Sequence, residues 1–189
     1  LQKVLNNEGY KVAHICFGIN RTVTQPFIIK LLDYLKLTNI ERVVQAKFDL
    51  FISENMKVTK KLWTNKQVKK FIKKKNPDFL ICGSDQIWNP DLVPTDSMYW
   101  LPFVEKGKNK IAYAPSLGVS TVTEKQKEQI KTNLSSFKAV SCRESSGAIT
   151  INQIIGEKKC EAVLDPTMLI ERKFWDTISE NKIYNEKYI

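Results

Sequence analysis

The sequence predicts an α/β protein built on a parallel sheet, and three observations predict it. Four short apolar runs recur after Pro77: Phe79-Leu80-Ile81-Cys82, Ile111-Ala112-Tyr113-Ala114, Ala139-Val140-Ser141-Cys142 and Ala162-Val163-Leu164. Helical patterns separate the later runs. Each run is followed by a polar or turn-forming segment. Strands that alternate with helices pair in parallel, and short continuous apolar strands imply cover on both faces.

The elements follow in order. The first residues read as an amphipathic helix that Gly9 can end as a left-handed cap. Residues 11–17 then read as a strand, with His14 as a core histidine rather than a catalyst. Over residues 24–37, Phe27, Ile28, Leu31, Leu32 and Leu35 fall at helical spacing. Asn39 can cap the next helix, which runs on through Val43, Val44, Phe48 and Phe51. Residues 66–75 form a short basic helix with Val68, Phe71 and Ile72 on its apolar side. Asn76-Pro77 disfavours its continuation. After the first two apolar runs, Thr123 and Gln126 form a capping box that opens a helix through Ile130 and Leu134. A further helix spans residues 146–155 and ends at Gly156.

Composition sets outer limits. A chain of 189 residues suits one ordinary domain. No apolar run approaches the roughly 20 residues of a membrane span. The four cysteines, Cys16, Cys82, Cys142 and Cys160, are widely separated and sit in or beside strand-like runs. They read as buried free thiols in a reducing cytoplasm. With one His and no paired Cys spacing, a metal site is unsupported. The net charge of +10 fits nucleic acid, an anionic membrane surface, small anionic substrates or a plain compositional bias, and charge alone does not choose.

In open parallel sheets, ligands bind beyond the carboxyl ends of the strands. All four polar segments lie there. Gly83-Ser84-Asp85-Gln86-Ile87-Trp88-Asn89-Pro90 offers a sharp backbone turn, a hydroxyl and a carboxylate. Its other reading is a helix cap beside a packed Trp88. In Tyr113-Ala114-Pro115-Ser116-Leu117-Gly118, Ser116 and Gly118 can present a hydroxyl and N–H groups to an anion, or simply form a tight turn. Arg143 can grip a carboxylate or phosphate with its planar fork, or tie loops together through Glu144 or Asp165. Asp165-Pro166-Thr167 reads as a turn. The lysines of the basic helix read as a solvated face. They can also meet a membrane surface or nucleic acid, though no aromatic residues interleave for base stacking. No GxGxxG or GxxxxGK[ST] occurs, which disfavours a standard dinucleotide site or P-loop.

These four segments, in this order, resemble the polysaccharide pyruvyl transferase family. Gly83-Ser84-Asp85-Gln86-Ile87-Trp88-Asn89, Ile111 to Gly118, Ser141-Cys142-Arg143-Glu144 and Val163-Leu164-Asp165-Pro166-Thr167 carry the resemblance. Met98-Tyr99-Trp100-Leu101-Pro102-Phe103-Val104 looks like the family's link between the first two motifs. Leu1-Gln2 and Gly9-Tyr10-Lys11-Val12 look like its first helix and second strand.

The resemblance implies a Rossmann-like three-layer domain, residues 1–187, similar to the amino-terminal domain of a GT-B-like enzyme. Its first strand would precede Leu1. Residues 188–189 would open a carboxy-terminal half that carries a His-Gly motif, so this chain alone would be an inactive fragment. The implied reaction moves pyruvate from phosphoenolpyruvate onto a sugar of a surface polysaccharide, or of its lipid-linked precursor, as a ketal. No cofactor is implied beyond that donor. Arg143 is the donor-binding candidate, Asp85 the candidate base, and Ser84, Ser116, Gly83 and Gly118 candidate binding residues. The implied location is the cytoplasm, with the inner face of the membrane in reach and no specific nucleic acid. A nucleotide-sugar glycosyltransferase of GT-B architecture and a non-catalytic, truncated binding module are the alternatives.

Overall fold

The computed structural model describes residues 1–16, 39–94, 97–104 and 109–179. The expected helix over residues 24–37 lies outside them, as does the expected domain boundary at 187. Among the described residues, six α-helices surround a four-stranded sheet. Strands β1 (Phe79–Cys82), β2 (Asn109–Ala112), β3 (Phe137–Cys142) and β4 (Cys160–Ala162) lie in sequential order, and every pair is parallel. This α/β arrangement is consistent with a Rossmann-like three-layer fold.

The helices are α1 (Gln2–Asn7), α2 (Asn39–Asn55), α3 (Asn65–Lys75), α4 (Glu124–Leu134), α5 (Ser145–Ile155) and α6 (Arg172–Ile178). Their ends follow local chemistry. Thr64 and Gln67 cap α3 reciprocally, as Thr123 and Gln126 cap α4. Asn76 at φ 46° and Gly156 at φ 76° close α3 and α5 in the left-handed conformation. The helices α4 and α5 are the crossovers that parallel neighbours require. Ile130 and Leu134 of α4, and Ala148 and Ile151 of α5, share one core with Leu80, Cys82, Ala112, Phe137, Val140, Cys142 and Cys160 of the strands.

A three-ring stack extends this core under the first loop. Trp88 lies parallel to Trp100 with ring centroids 4.6 Å apart, and the edge of Phe137 meets Trp88 at 5.9 Å. Trp88 is 1% exposed, so truncating it to Ala would cost about 3–5 kcal/mol.

Several expectations need correction. Residues 11–16 do not join the sheet; His14 makes an isolated parallel bridge with Val58. His14 itself is exposed rather than in the core. The two sheet faces are unequally covered: Leu80 and Cys82 are buried, whereas Phe79 and Ile81 are exposed. Cys16 is only partly buried, unlike the other three thiols.

Strands β2 and β4 each begin two residues before the apolar runs. Lys110 starts inside β2 because its stem is buried and its Nζ reaches Ser136 Oγ at 3.1 Å, near the Phe137 ring. The start of β4 is fixed by Asn152. Its Oδ1 accepts from the N–H groups of Lys159 and Cys160, and its Nδ2 donates to the Cys160 carbonyl.

Candidate functional site

Beyond the strand ends the ladder continues through single backbone hydrogen bonds. Tyr113 N–H donates to the Cys82 carbonyl at 2.9 Å, and Ser116 N–H donates to the Asp85 carbonyl at 2.8 Å. Arg143 N–H donates to the Pro115 carbonyl at 3.1 Å, and Val163 N–H donates to the Cys142 carbonyl at 2.9 Å. The loops after all four strands are therefore stitched into one rim. Asp85 bridges Pro115 in parallel fashion. Asp85 and Arg143 thus flank Pro115 from either side, about 10 Å apart along the backbone, or two strand spacings.

Glycine makes this stitching possible at Gly83. Its φ is +126°, and a Cβ there would lie 1.9 Å from the Tyr113 carbonyl oxygen. The close approach is to the neighbouring loop. Gly118 plays a similar part at φ +63°, where a Cβ would lie 2.6 Å from Asn89 Nδ2 and 2.7 Å from Gln86 Oε1. Both glycines shape the rim.

The side chains of the rim form one polar network centred on Asp165. Asp165 Oδ2 accepts from Ser84 Oγ at 3.1 Å and lies 3.5 Å from Arg143 Nη1. Asp165 Oδ1 accepts from the Thr167 N–H at 2.9 Å and from the Thr167 hydroxyl at 2.7 Å. Arg143 Nε donates to Glu144 Oε1 at 2.9 Å. The Tyr113 hydroxyl donates to the Leu164 carbonyl at 3.1 Å, closing the network from β2 to β4.

Partial burial raises the Asp165 carboxyl pKa, but the bonds from Thr167, Ser84 and Arg143 outweigh it. The result is a carboxyl held below its usual value, fully ionised at neutral pH. The bond to Glu144, with Asp165 adding to it, raises the Arg143 guanidinium above its ordinary value. Burial and the Asp165 charge both raise the Tyr113 phenol, which keeps it a neutral donor.

The predicted site residues therefore divide. Ser84, Asp85 and Arg143 come together on the rim. Asp85 is exposed at φ 72°, with Oδ1 accepting from the Gln86 N–H at 2.8 Å. Its Oδ2 carries no hydrogen bond among the described residues. Arg143 keeps its Nη2 without a protein partner among the described residues. The structure does not bring Ser116 to the rim surface: it is 1% exposed, and its Oγ accepts from the Gly118 N–H at 3.0 Å. Both groups expected to face an anion there are spent on each other.

The pairing of Arg143 with Glu144 and Asp165 is the loop-tying alternative that the sequence offered; what sequence reasoning missed is Asp165 as the network's centre and the part of Tyr113. The Asp-Pro-Thr spacing does signal the short 3₁₀ turn Pro166–Leu169, which Asp165 caps through Thr167. The second carboxylate oxygen, turned to Ser84 and Arg143, has no local signal, because both partners are distant in the chain.

A family model described as polysaccharide pyruvyl transferase matches residues 1–189. No curated protein and no solved structure matches the chain.

Proposed function

The chain belongs to the polysaccharide pyruvyl transferase family, and from that premise we propose that it supplies the Arg143–Asp85 rim of an enzyme moving pyruvate from phosphoenolpyruvate onto a polysaccharide sugar as a cyclic ketal. In this reaction two acceptor oxygens bond to the donor's central carbon. The methylene carbon gains a proton, and the bond to phosphate oxygen breaks. The two acceptor hydroxyls each release a proton; one is matched by the methyl group formed, the other by the departing phosphate.

The donor carries a carboxylate and a phosphate, so it needs a fixed cation and directed donors. Arg143 offers Nη2 to one of these anions, and Ser84 lies beside it. Asp85 accepts a proton from an acceptor hydroxyl through its unengaged Oδ2. Protonation of the donor carbon falls to a carboxy-terminal half, and no cofactor beyond the donor takes part. Ser116, Gly83 and Gly118 shape the rim on which these groups stand. The enzyme works in the cytoplasm, where phosphoenolpyruvate is supplied.

The observation that supports this reading is that Arg143 and Asp85 flank the same segment, each with one polar atom still available. Calorimetric titration of phosphoenolpyruvate into enzyme containing both halves tests it, with nucleotide sugars as the comparison. Phosphoenolpyruvate should bind, and Arg143→Lys should weaken it about tenfold or more, because a lysine cannot reproduce the fork. Binding of nucleotide sugars alone would overturn the reading in favour of a glycosyltransferase.

The pairs from Arg143 to Glu144 and Asp165 favour a second reading, in which the guanidinium is a strut between loops. Near-normal donor affinity in Arg143→Lys, accompanied by lost stability, would select it.

A further inference from the structure

The chain's excess positive charge is concentrated in one place. Residues 57–75 contain nine lysines and no Asp, Glu or Arg. The other 170 residues hold 21 Lys and Arg against 20 Asp and Glu, so they are close to neutral. A general compositional bias would spread the charge, and it is not spread.

The structure orders that charge. Within α3, Lys66, Lys69, Lys70, Lys73 and Lys74 fall at the i, i+3, i+4, i+7, i+8 spacing that defines one face of a helix. Val68 and Ile72 are buried on the opposite face, so the lysine face must point away from the core. All nine lysines are exposed. The face is about 12 Å long, from the rise of an α-helix. Just before the helix stands Trp63, 50% exposed, its backbone N–H donating to Gln67 Oε1 at 2.7 Å. Lys61 Nζ lies 4.7 Å above its ring.

A convex, all-lysine face beside an exposed indole fits a broad anionic surface better than a nucleic-acid groove. Reading of phosphates and bases in register draws on the arginine fork, and this segment has no arginine. Lysine is a compact point charge suited to a diffuse field. Indole rings settle at the boundary between lipid headgroups and acyl chains. The geometry points to α3 and Trp63 as a docking surface for an anionic lipid bilayer.

The test is co-sedimentation of the chain with phosphatidylcholine vesicles, with and without phosphatidylglycerol. It should sediment with the anionic vesicles only, and added salt should release it. The variant Lys66→Gln, Lys70→Gln, Lys73→Gln, Lys74→Gln should lose binding with an unchanged circular dichroism spectrum. If that variant unfolds, the single changes Lys70→Gln and Lys74→Gln should each weaken binding about fivefold. Tryptophan emission should shift to the blue on docking, and Trp63→Phe should abolish the shift. Equal binding to neutral and anionic vesicles overturns the inference, as does no binding, or tighter binding to duplex DNA at matched ionic strength. So does full binding by folded lysine variants. None of these readouts uses phosphoenolpyruvate, so the outcome stands apart from the transfer reaction.

Discussion

Residues 113–118 and residues 143–165 present similar polar groups at adjacent strand ends, yet the structure spends them differently. The first segment runs on as a pseudo-strand, bonded to Asp85 through Ser116, with Pro115, Ser116 and Leu117 buried. The Ser116 hydroxyl faces inward, while that of Tyr113 reaches the Leu164 carbonyl. The second segment turns into α5 at Glu144, so the Arg143 side chain stays part-exposed among Ser84, Glu144 and Asp165. The difference teaches that position beyond a strand is not enough. Along one continuous seam the side chain of Ser116 turns inward and is sealed, whereas those of Asp85, Tyr113 and Arg143 stay at the rim.

The largest test of that contrast is Gly83→Ala. The added Cβ would collide with the Tyr113 carbonyl in a conformation that alanine resists. A loss of about 3–5 kcal/mol is expected in urea denaturation. An unchanged midpoint would mean that the two loops are not held in register.

Asp165→Asn comes next, with an expected loss of about 2 kcal/mol, because three residues direct donors at that carboxylate. The effect carries a pH signature. The folded-state carboxyl is held below its ordinary value, so its stabilisation is complete above the unfolded value near pH 3.9. It is lost as pH falls through the lower, folded value. Comparing thermal stability across acidic pH should therefore show the parent converging on Asp165→Asn. A gap that persists at the acid end would assign the loss to shape rather than charge.

The smallest effect is Ser116→Ala. Removing its hydroxyl leaves the Gly118 N–H unpaired and should cost about 1 kcal/mol. Under the proposed function, phosphoenolpyruvate affinity should stay within about twofold of the parent, since the hydroxyl is sealed. A tenfold loss of affinity would return Ser116 to the rim and erase the contrast.

Much of the sheet was legible because its signals are local. The capping box at Thr123, the stop at Gly156 and the apolar pairs Ile130–Leu134 are short-range patterns that tertiary packing kept. Strand starts were less legible. Lys110 is a charged residue whose buried stem belongs to the strand, and Asn152 clamps β4 from another helix. Residues 11–16 match a strand by composition but, among the described residues, bond only to residues 57–62, at His14 and Cys16, and to the Gln2 and Asn6 side chains. At the site, the strand-end positions of Ser84, Asp85 and Arg143 could be read from the run lengths. The burial of Ser116 and the convergence on Asp165 could not, because both depend on contacts between residues far apart in the chain.

The hydrogen bonds that stitch the four loops are main-chain bonds, from Tyr113 to Cys82, Ser116 to Asp85, Arg143 to Pro115 and Val163 to Cys142. A main-chain seam is indifferent to most exchanges of the side chains it carries. An exposed residue such as Leu164 can therefore change identity while the frame keeps its shape, whereas Asp85, at φ 72°, is confined to the few residues that accept the left-handed region. Such a frame separates the shape of the rim from the chemistry displayed on it.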